Sequence, residues 1–144
     1  MKHTYVLEPG KWKAEGNYYD ESGKSILVVG ETEISHQKEV WTLDGFMELQ
    51  LDEPIRFFNT YSIIPIETEN DFTSWSSENP ALGTLNGHFA IVGDTILSSY
   101  RSENEQYTGA ESLLLIDPKS YKNWGVAFHN GVKLSSWEVN LTKL

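Results

Sequence analysis

Apolar residues recur at every second position through most of the chain, and no window sustains the spacing of an amphipathic helix. Trp12, Ala14, Gly16 and Tyr18 alternate with Lys11, Lys13, Glu15 and Asn17. This predicts a strand with one face in a core and the other in water. Ser22-Gly23 then turns the chain into a strand over residues 26–36. Asp44-Gly45 has the composition of a two-residue hairpin turn, which predicts separate strands at residues 39–43 and 46–51.

Residues 55–66 are rich in Phe, Tyr and Ile, and Pro65 predicts a strand exit because proline has no N–H to give a ladder. Residues 67–82 are polar, with Trp75 and Pro80 among them. They read as a long loop, able to act as a lid, with one short strand near 72–76. Gly93-Asp94 separates strands at residues 83–92 and 95–101, and a compact apolar strand follows at 111–116. Asp117-Pro118 predicts a turn and residues 119–123 a single helical turn, while Asn130-Gly131 joins 124–129 to 132–141 as a hairpin. Nine or ten short strands without an internal repeat or a composition shift predict one all-β domain over residues 1–144. Such strands build a sandwich or a barrel, and closure into a barrel removes exposed edges.

Composition narrows the partners. Eleven Lys and Arg against 21 Asp and Glu leave a net charge of −10, which repels phosphate backbones and anionic lipid. Nucleic acid and membrane partners are therefore not expected. Residues 1–10 hold a Lys, a His, a Glu and a Pro, unlike the apolar run of a signal peptide, so a cytoplasmic setting is the expectation. The absence of Cys removes disulfides, thiolate metal sites and cysteine nucleophiles together. At 144 residues, stability rests on a core that buries roughly two thirds of the unfolded chain's surface.

Gly10, Trp12, Glu15 and Gly16 stand together as Gly-Lys-Trp-Lys-Ala-Glu-Gly. This resembles the Gly-x-Trp opening of the calycin superfamily, which includes lipocalins and fatty-acid-binding proteins. The longer form, Gly-x-Trp-x-x-Glu-Gly, is similar to the opening of nitrobindin-like barrels. The resemblance implies a single antiparallel, mostly up-and-down barrel of about 8–10 strands. It also implies that Trp12, next to Gly10, closes the barrel floor and that Lys143 on the last strand packs across it. No helical pattern follows the last strand as it does in lipocalins. Residues 19–24 are too few for the helix pair of a fatty-acid-binding protein, which leaves a nitrobindin-like or bacterial calycin barrel as the nearer pattern.

Candidate chemistry is sparse. His3, His36, His88 and His129 fall on different predicted elements without metal-site spacing, and no nucleophile, phosphate-loop or zinc-protease motif occurs. No cofactor is the first expectation. The alternative, implied by the nitrobindin-like resemblance, is heme held through one histidine, for which His129 before the Asn130-Gly131 turn is the candidate. The residues around it do not align with that family's ligand segment.

Small barrels either fill their interior with side chains or enclose one ligand. The first functional expectation is noncatalytic binding of a small, partly apolar molecule. An isomerase or lyase using the same cavity is the second, and a buried Tyr, His or Glu with a perturbed pKa would mark it. An interaction domain with a filled core is the third. Tyr18, Arg56, Phe58, Arg101 and Trp124 are the candidate ligand contacts. Arg56 and Arg101 are the chain's two arginines, and a guanidinium inside a barrel could grip a ligand carboxylate in two places. Both have mixed neighbours in their strands, so ordinary surface pairing with some of the 21 carboxylates is the competing expectation.

Overall fold

The computed structural model describes residues 2–144. Ten strands follow in order: β1 (Gly10–Tyr19), β2 (Ser25–His36), β3 (Trp41–Leu49), β4 (Ile55–Ile63), β5 (Phe72–Asn79), β6 (Gly83–Val92), β7 (Thr95–Ser102), β8 (Tyr107–Asp117), β9 (Ser120–His129) and β10 (Val132–Lys143). Each pairs antiparallel with the next, and β1 also pairs with β10, so the sheet closes on itself as an up-and-down barrel. Among the described residues no helix is long and apolar enough to cross a membrane.

Alternation decides what lies inside. Trp12 and Ala14 on β1, Val28 and Ile34 on β2, Leu113 and Leu115 on β8, and Val139 and Leu141 on β10 are all buried, while their charged neighbours face water. The hairpin joining β9 to β10 is built as its residues demand. Asn130 (φ 48°) and Gly131 (φ 81°) both lie in the left-handed region, as a tight turn matching the twist of two strands requires.

Three local expectations need correction. Asp44-Gly45 is not a turn: β3 runs through it, and the chain reverses instead at residues 37–40, where Gln37 N–H donates to Val40 C=O (3.0 Å). The glycine is there for space, since a Cβ at Gly45 would meet the backbone oxygen of Glu31 and the Thr32 side chain on β2. The short strand expected near 72–76 within the polar stretch 67–82 is longer, β5 taking eight residues of the stretch with Thr73, Trp75 and Ser77 buried, so no long loop remains. Serine and threonine there concealed the length of an alternating strand whose inward positions are Thr73, Trp75 and Ser77. Residues 119–123 form no helical turn: Lys119 ends the turn after β8 and residues 120–123 begin β9, with Tyr121 and Asn123 pointing inward.

The N-terminal segment seals one end. Tyr5 and Val6 are buried there beside Trp12 and Tyr121, and Trp12 has no exposed surface. Trp12 meets the edge of Tyr5 at 5.2 Å and of Tyr121 at 5.6 Å between ring centres, both near-perpendicular arrangements that suit aromatic quadrupoles. The Tyr121 hydroxyl accepts from the backbone N–H of Thr4 (3.0 Å) and Tyr5 (3.3 Å). Its own proton therefore goes to His3 Nδ1 (2.9 Å), which leaves Nε2–H to donate to Gly93 C=O (2.9 Å). His3 is thus a structural link between the N-terminal segment, β9 and the β6–β7 turn. His36 is another, with Nε2–H donating to Val6 C=O (2.8 Å) and its ring stacked on Trp41 at 3.8 Å.

The barrel wall is thinnest between β4 and β5. Only Tyr61–Ser77, Ser62–Ser76 and Ile63–Trp75 are paired across that seam, so residues 55–60 have no ladder partner on β5. Neighbouring seams carry long ladders; β3 and β4 pair from Trp41–Ile63 to Leu49–Ile55.

Candidate ligand-binding site

The interior above the floor is open. A cavity of about 330 Å³ lies inside the barrel, at the small end of the range for ligand pockets. Its wall is mostly apolar and aromatic, including Tyr18, Phe57, Tyr61, Trp75, Tyr100 and Trp137. It reaches the β4–β5 seam, where Phe57, Asn59, Asn79 and Leu82 also line it.

Glycines keep this interior from filling. A Cβ on Gly87 would collide with the Trp75 ring, one on Gly109 with Tyr100, and one on Gly125 with Trp137. Each ring lies against a bare stretch of neighbouring backbone, flat to the wall, and the centre of the barrel stays clear. The sequence signal was a Gly in phase with inward residues on three successive hairpins.

One polar network faces the open space. Glu111 on β8 stands opposite Ser98 on β7 and Gly125 on β9. Asn123 Nδ2 donates to Glu111 Oε2 (3.2 Å) and to Ser112 C=O (3.1 Å), while the Trp137 Nε1–H donates to Asn123 Oδ1 (3.1 Å). The indole therefore fixes which way the amide points. On the β7 flank of Glu111, Trp75 Nε1–H donates to Ser98 Oγ (3.2 Å). The Glu111 side chain keeps some surface because it borders the cavity, but the barrel encloses it on every side. Among the described residues Asn123 is its only hydrogen-bond partner, which leaves its second oxygen free toward the cavity.

Burial pushes the Glu111 carboxyl above the usual carboxylate range, against a smaller opposing effect of the Asn123 hydrogen bond. The tyrosines respond to the same enclosure. Burial, with Glu111 adding, raises Tyr61 and Tyr5 and pushes Tyr100 up to about 12. Among the described residues Glu111 is the sole carboxylate on the lining, and no Lys, Arg or His joins it. Because the folded chain holds the Glu111 proton more tightly than the unfolded chain, stability falls as pH rises from the ordinary glutamate range through the raised value. Urea titrations across pH should show Glu111→Gln more stable than the parent above that window and equal to it below. A variant less stable than the parent at neutral pH would contradict this assignment.

Of the five candidate ligand contacts, Tyr18 lines the cavity, its ring stacked on Phe57 at 6.5 Å beside the seam. The other four point outward. Arg56 donates to Glu48 (Nε–Oε2 2.9 Å) and lies 3.9 Å over the Phe46 ring, holding the Glu48 carboxyl below its usual range. Phe58 is exposed beside Phe46, Arg101 is exposed and pairs with Glu105 at 3.7 Å, and Trp124 lies exposed under Lys122. Strand parity explains this. Residues 57, 59 and 61 carry the inward set of β4, so Arg56 and Phe58 take the outer face, and 98, 100 and 102 do the same to Arg101 on β7. The carboxylate-gripping role for the two arginines is therefore withdrawn. Replacing both by Met should leave ligand affinity unchanged, as titration calorimetry can check; a loss of about tenfold or more would contradict the outward placement.

At the floor, Lys143 is in register with Trp12 across the β1–β10 seam, and its side chain lies over Gly10, where a Cβ would crowd its Cε at 2.9 Å. Its ammonium reaches Glu8 Oε2 at 3.4 Å. Gly10, Trp12 and Lys143 are thus neighbours. His129 is exposed at the end of β9, stacked on Tyr107 at 4.7 Å between ring centres, and does not line the cavity. Among the described residues no histidine lies on the lining, so His129 is not placed to hold a heme in this cavity.

The residues that matter most were not singled out beforehand. Glu111 stood in phase with Leu113 and Leu115, and Asn123 with Tyr121 and Ala127, an acid and an amide on otherwise apolar faces.

No protein-family model matches the chain, and no curated protein is similar to it in sequence. Among solved structures it is similar to the S-type phycobiliprotein lyase CPES from Guillardia theta, with a TM-score of 0.72 at 8% identity over 97% of this chain and 90% of that one. An N-terminal dehydratase from the difficidin assembly line also aligns over 97% of this chain and 79% of that one, at 8% identity and a TM-score of 0.29. That value carries no structural argument. The first likeness and the closed antiparallel topology define the class of fold: an all-β, calycin-like barrel of ten strands.

Proposed function

We propose that the barrel binds one small, partly apolar molecule in its interior without transforming it. The observation that carries this reading is the cavity of about 330 Å³ inside the barrel, walled by aromatic rings that glycines hold back, with a polar network at one side. An interaction domain with a filled core has no use for such space. The likeness to a phycobiliprotein lyase makes a linear tetrapyrrole the first candidate to weigh. Such a molecule carries two carboxylates, and the lining supplies no cation to meet them and one carboxyl to repel them. A smaller ligand without a buried anionic group suits the site better, and no cofactor is needed.

The enclosed Glu111, with its carboxyl raised by burial, favours one rival: an isomerase or lyase in which it moves a proton at neutral pH. Turnover of small unsaturated ketones, lost in Glu111→Gln, would shift the assignment to that rival. The direct test of binding is native mass spectrometry with 3-methylindole, a neutral aromatic probe small enough for the cavity. One saturable adduct per chain is the expected result. Nonstoichiometric adducts, or none at saturating probe, would overturn the proposal.

A further inference from the structure

The chemistry of the lining goes further than "small and partly apolar". We infer that the cavity takes a protonated amine on an apolar body, with Glu111 as the counter-ion and the rings of Tyr61, Tyr100 and Trp137 as its surround. This rests on the binding reading above and names the ligand class for the same site.

Three observations converge on it. Among the described residues Glu111 is the sole carboxylate on the lining, and no Lys, Arg or His stands there to neutralise it when it ionises. Its one hydrogen bond among the described residues comes from Asn123, itself oriented by Trp137, which leaves the second carboxylate oxygen without a protein partner on a residue that lines the cavity. The lining is also rich in aromatic rings: Tyr61 stacks on Trp75 at 4.4 Å, and Trp75 lies 6.1 Å from Tyr100. Aromatic faces attract an ammonium group, most strongly when water is excluded.

Ionic balance is complete in this scheme. In the empty barrel the carboxyl keeps a proton more readily than an exposed glutamate does, because the charged form is poorly solvated. When an ammonium enters, the carboxyl gives its proton to solvent and the two charges pair. An anion entering the same space would face either a carboxylate or an acid with no cation nearby. The net charge of −10 acts in the same direction at a distance, raising the local concentration of cations and lowering that of anions.

The test is calorimetric titration of the full chain with three probes sharing one indole body: tryptamine, neutral 3-methylindole and indole-3-acetate. The expected order places tryptamine at least about tenfold tighter than indole-3-acetate. Glu111→Gln keeps an oxygen to accept from Asn123 and should retain the fold. It should weaken tryptamine at least about fivefold while 3-methylindole stays within about twofold. Tryptamine affinity should also fall as acid protonates Glu111 in the parent, a slope the variant lacks. If 3-methylindole binds but tryptamine shows no advantage over indole-3-acetate, or keeps its advantage in Glu111→Gln, the amine assignment is overturned and the binding reading stands. If none of the three binds, the binding reading fails and the assignment with it.

Discussion

Trp12→Ala should cost the barrel about 3–5 kcal/mol of unfolding free energy, the range for emptying a buried aromatic site. The indole has no exposed surface and meets Tyr5 and Tyr121 edge-on, so truncation removes two aromatic contacts and leaves a void the rigid strands cannot close. One feature moderates the loss. The Trp12 Nε1–H is buried without a hydrogen-bond partner, so removing it also relieves a desolvated donor. Trp12→Phe, which keeps a ring and drops that donor, should therefore lose much less than Trp12→Ala. Urea unfolding of the two variants checks both values; a loss below about 1 kcal/mol for Trp12→Ala would mean the floor is not built on this residue.

The second large effect is expected at Tyr121. Its hydroxyl holds the backbone N–H groups of Thr4 and Tyr5 and the His3 ring at once. Tyr121→Phe leaves two buried donors and a histidine nitrogen unmet, and each unmet group costs about 1–3 kcal/mol unless water reaches it. Three such groups would cost about 3–9 kcal/mol if all stayed dry and less as water reaches them, and the location of the loss is as informative as its size. The cheapest response is for the N-terminal segment to lift from the floor, which solvates those groups without opening the barrel. Hydrogen exchange should thus accelerate at Thr4, Tyr5 and Val6 while the strand amides of β8 and β9 stay protected. Uniform acceleration across all strands would show that the hydroxyl supports the whole barrel and not the plug.

Much of the architecture was readable from alternation, because a closed antiparallel barrel imposes one inward and one outward side on every strand. Trp12, Ala14 and Tyr18 face the interior as their period predicts, and Gly93-Asp94 and Asn130-Gly131 turn the chain where their backbone freedom predicts. The failures share a cause. Gly45 reads as a turn residue in a sequence, but it serves the close passage of β3 over β2, a contact between segments that only folding brings together. The short strand near 72–76 read from the sequence runs on to Asn79, an extent obscured because small hydroxylated residues surround Trp75, whose neighbours Ser98 and Tyr100 lie two strands away on β7.

The site was harder still. Arg56, Phe58, Arg101 and Trp124 have side chains suited to ligands, but side-chain type says nothing about parity, and each occupies the outer phase of its strand. Glu111 and Asn123 carry the opposite lesson. A carboxyl and an amide in phase with leucines and a tyrosine mark an interior polar network, and that phase could be read without coordinates.

Binding in the open interior is tested most directly by the tryptophan indole N–H resonances of the ¹⁵N-labelled chain during titration with 3-methylindole. The five tryptophans are spread as reporters: Trp75 and Trp137 on the cavity, Trp12 in the floor, Trp41 stacked on His36, and Trp124 on the outer surface. Binding inside the barrel predicts saturable shifts at Trp75 and Trp137 with Trp41 and Trp124 unmoved. Saturable shifts at Trp124 or Trp41 with Trp75 and Trp137 silent would place the probe outside the barrel and contradict the interior site.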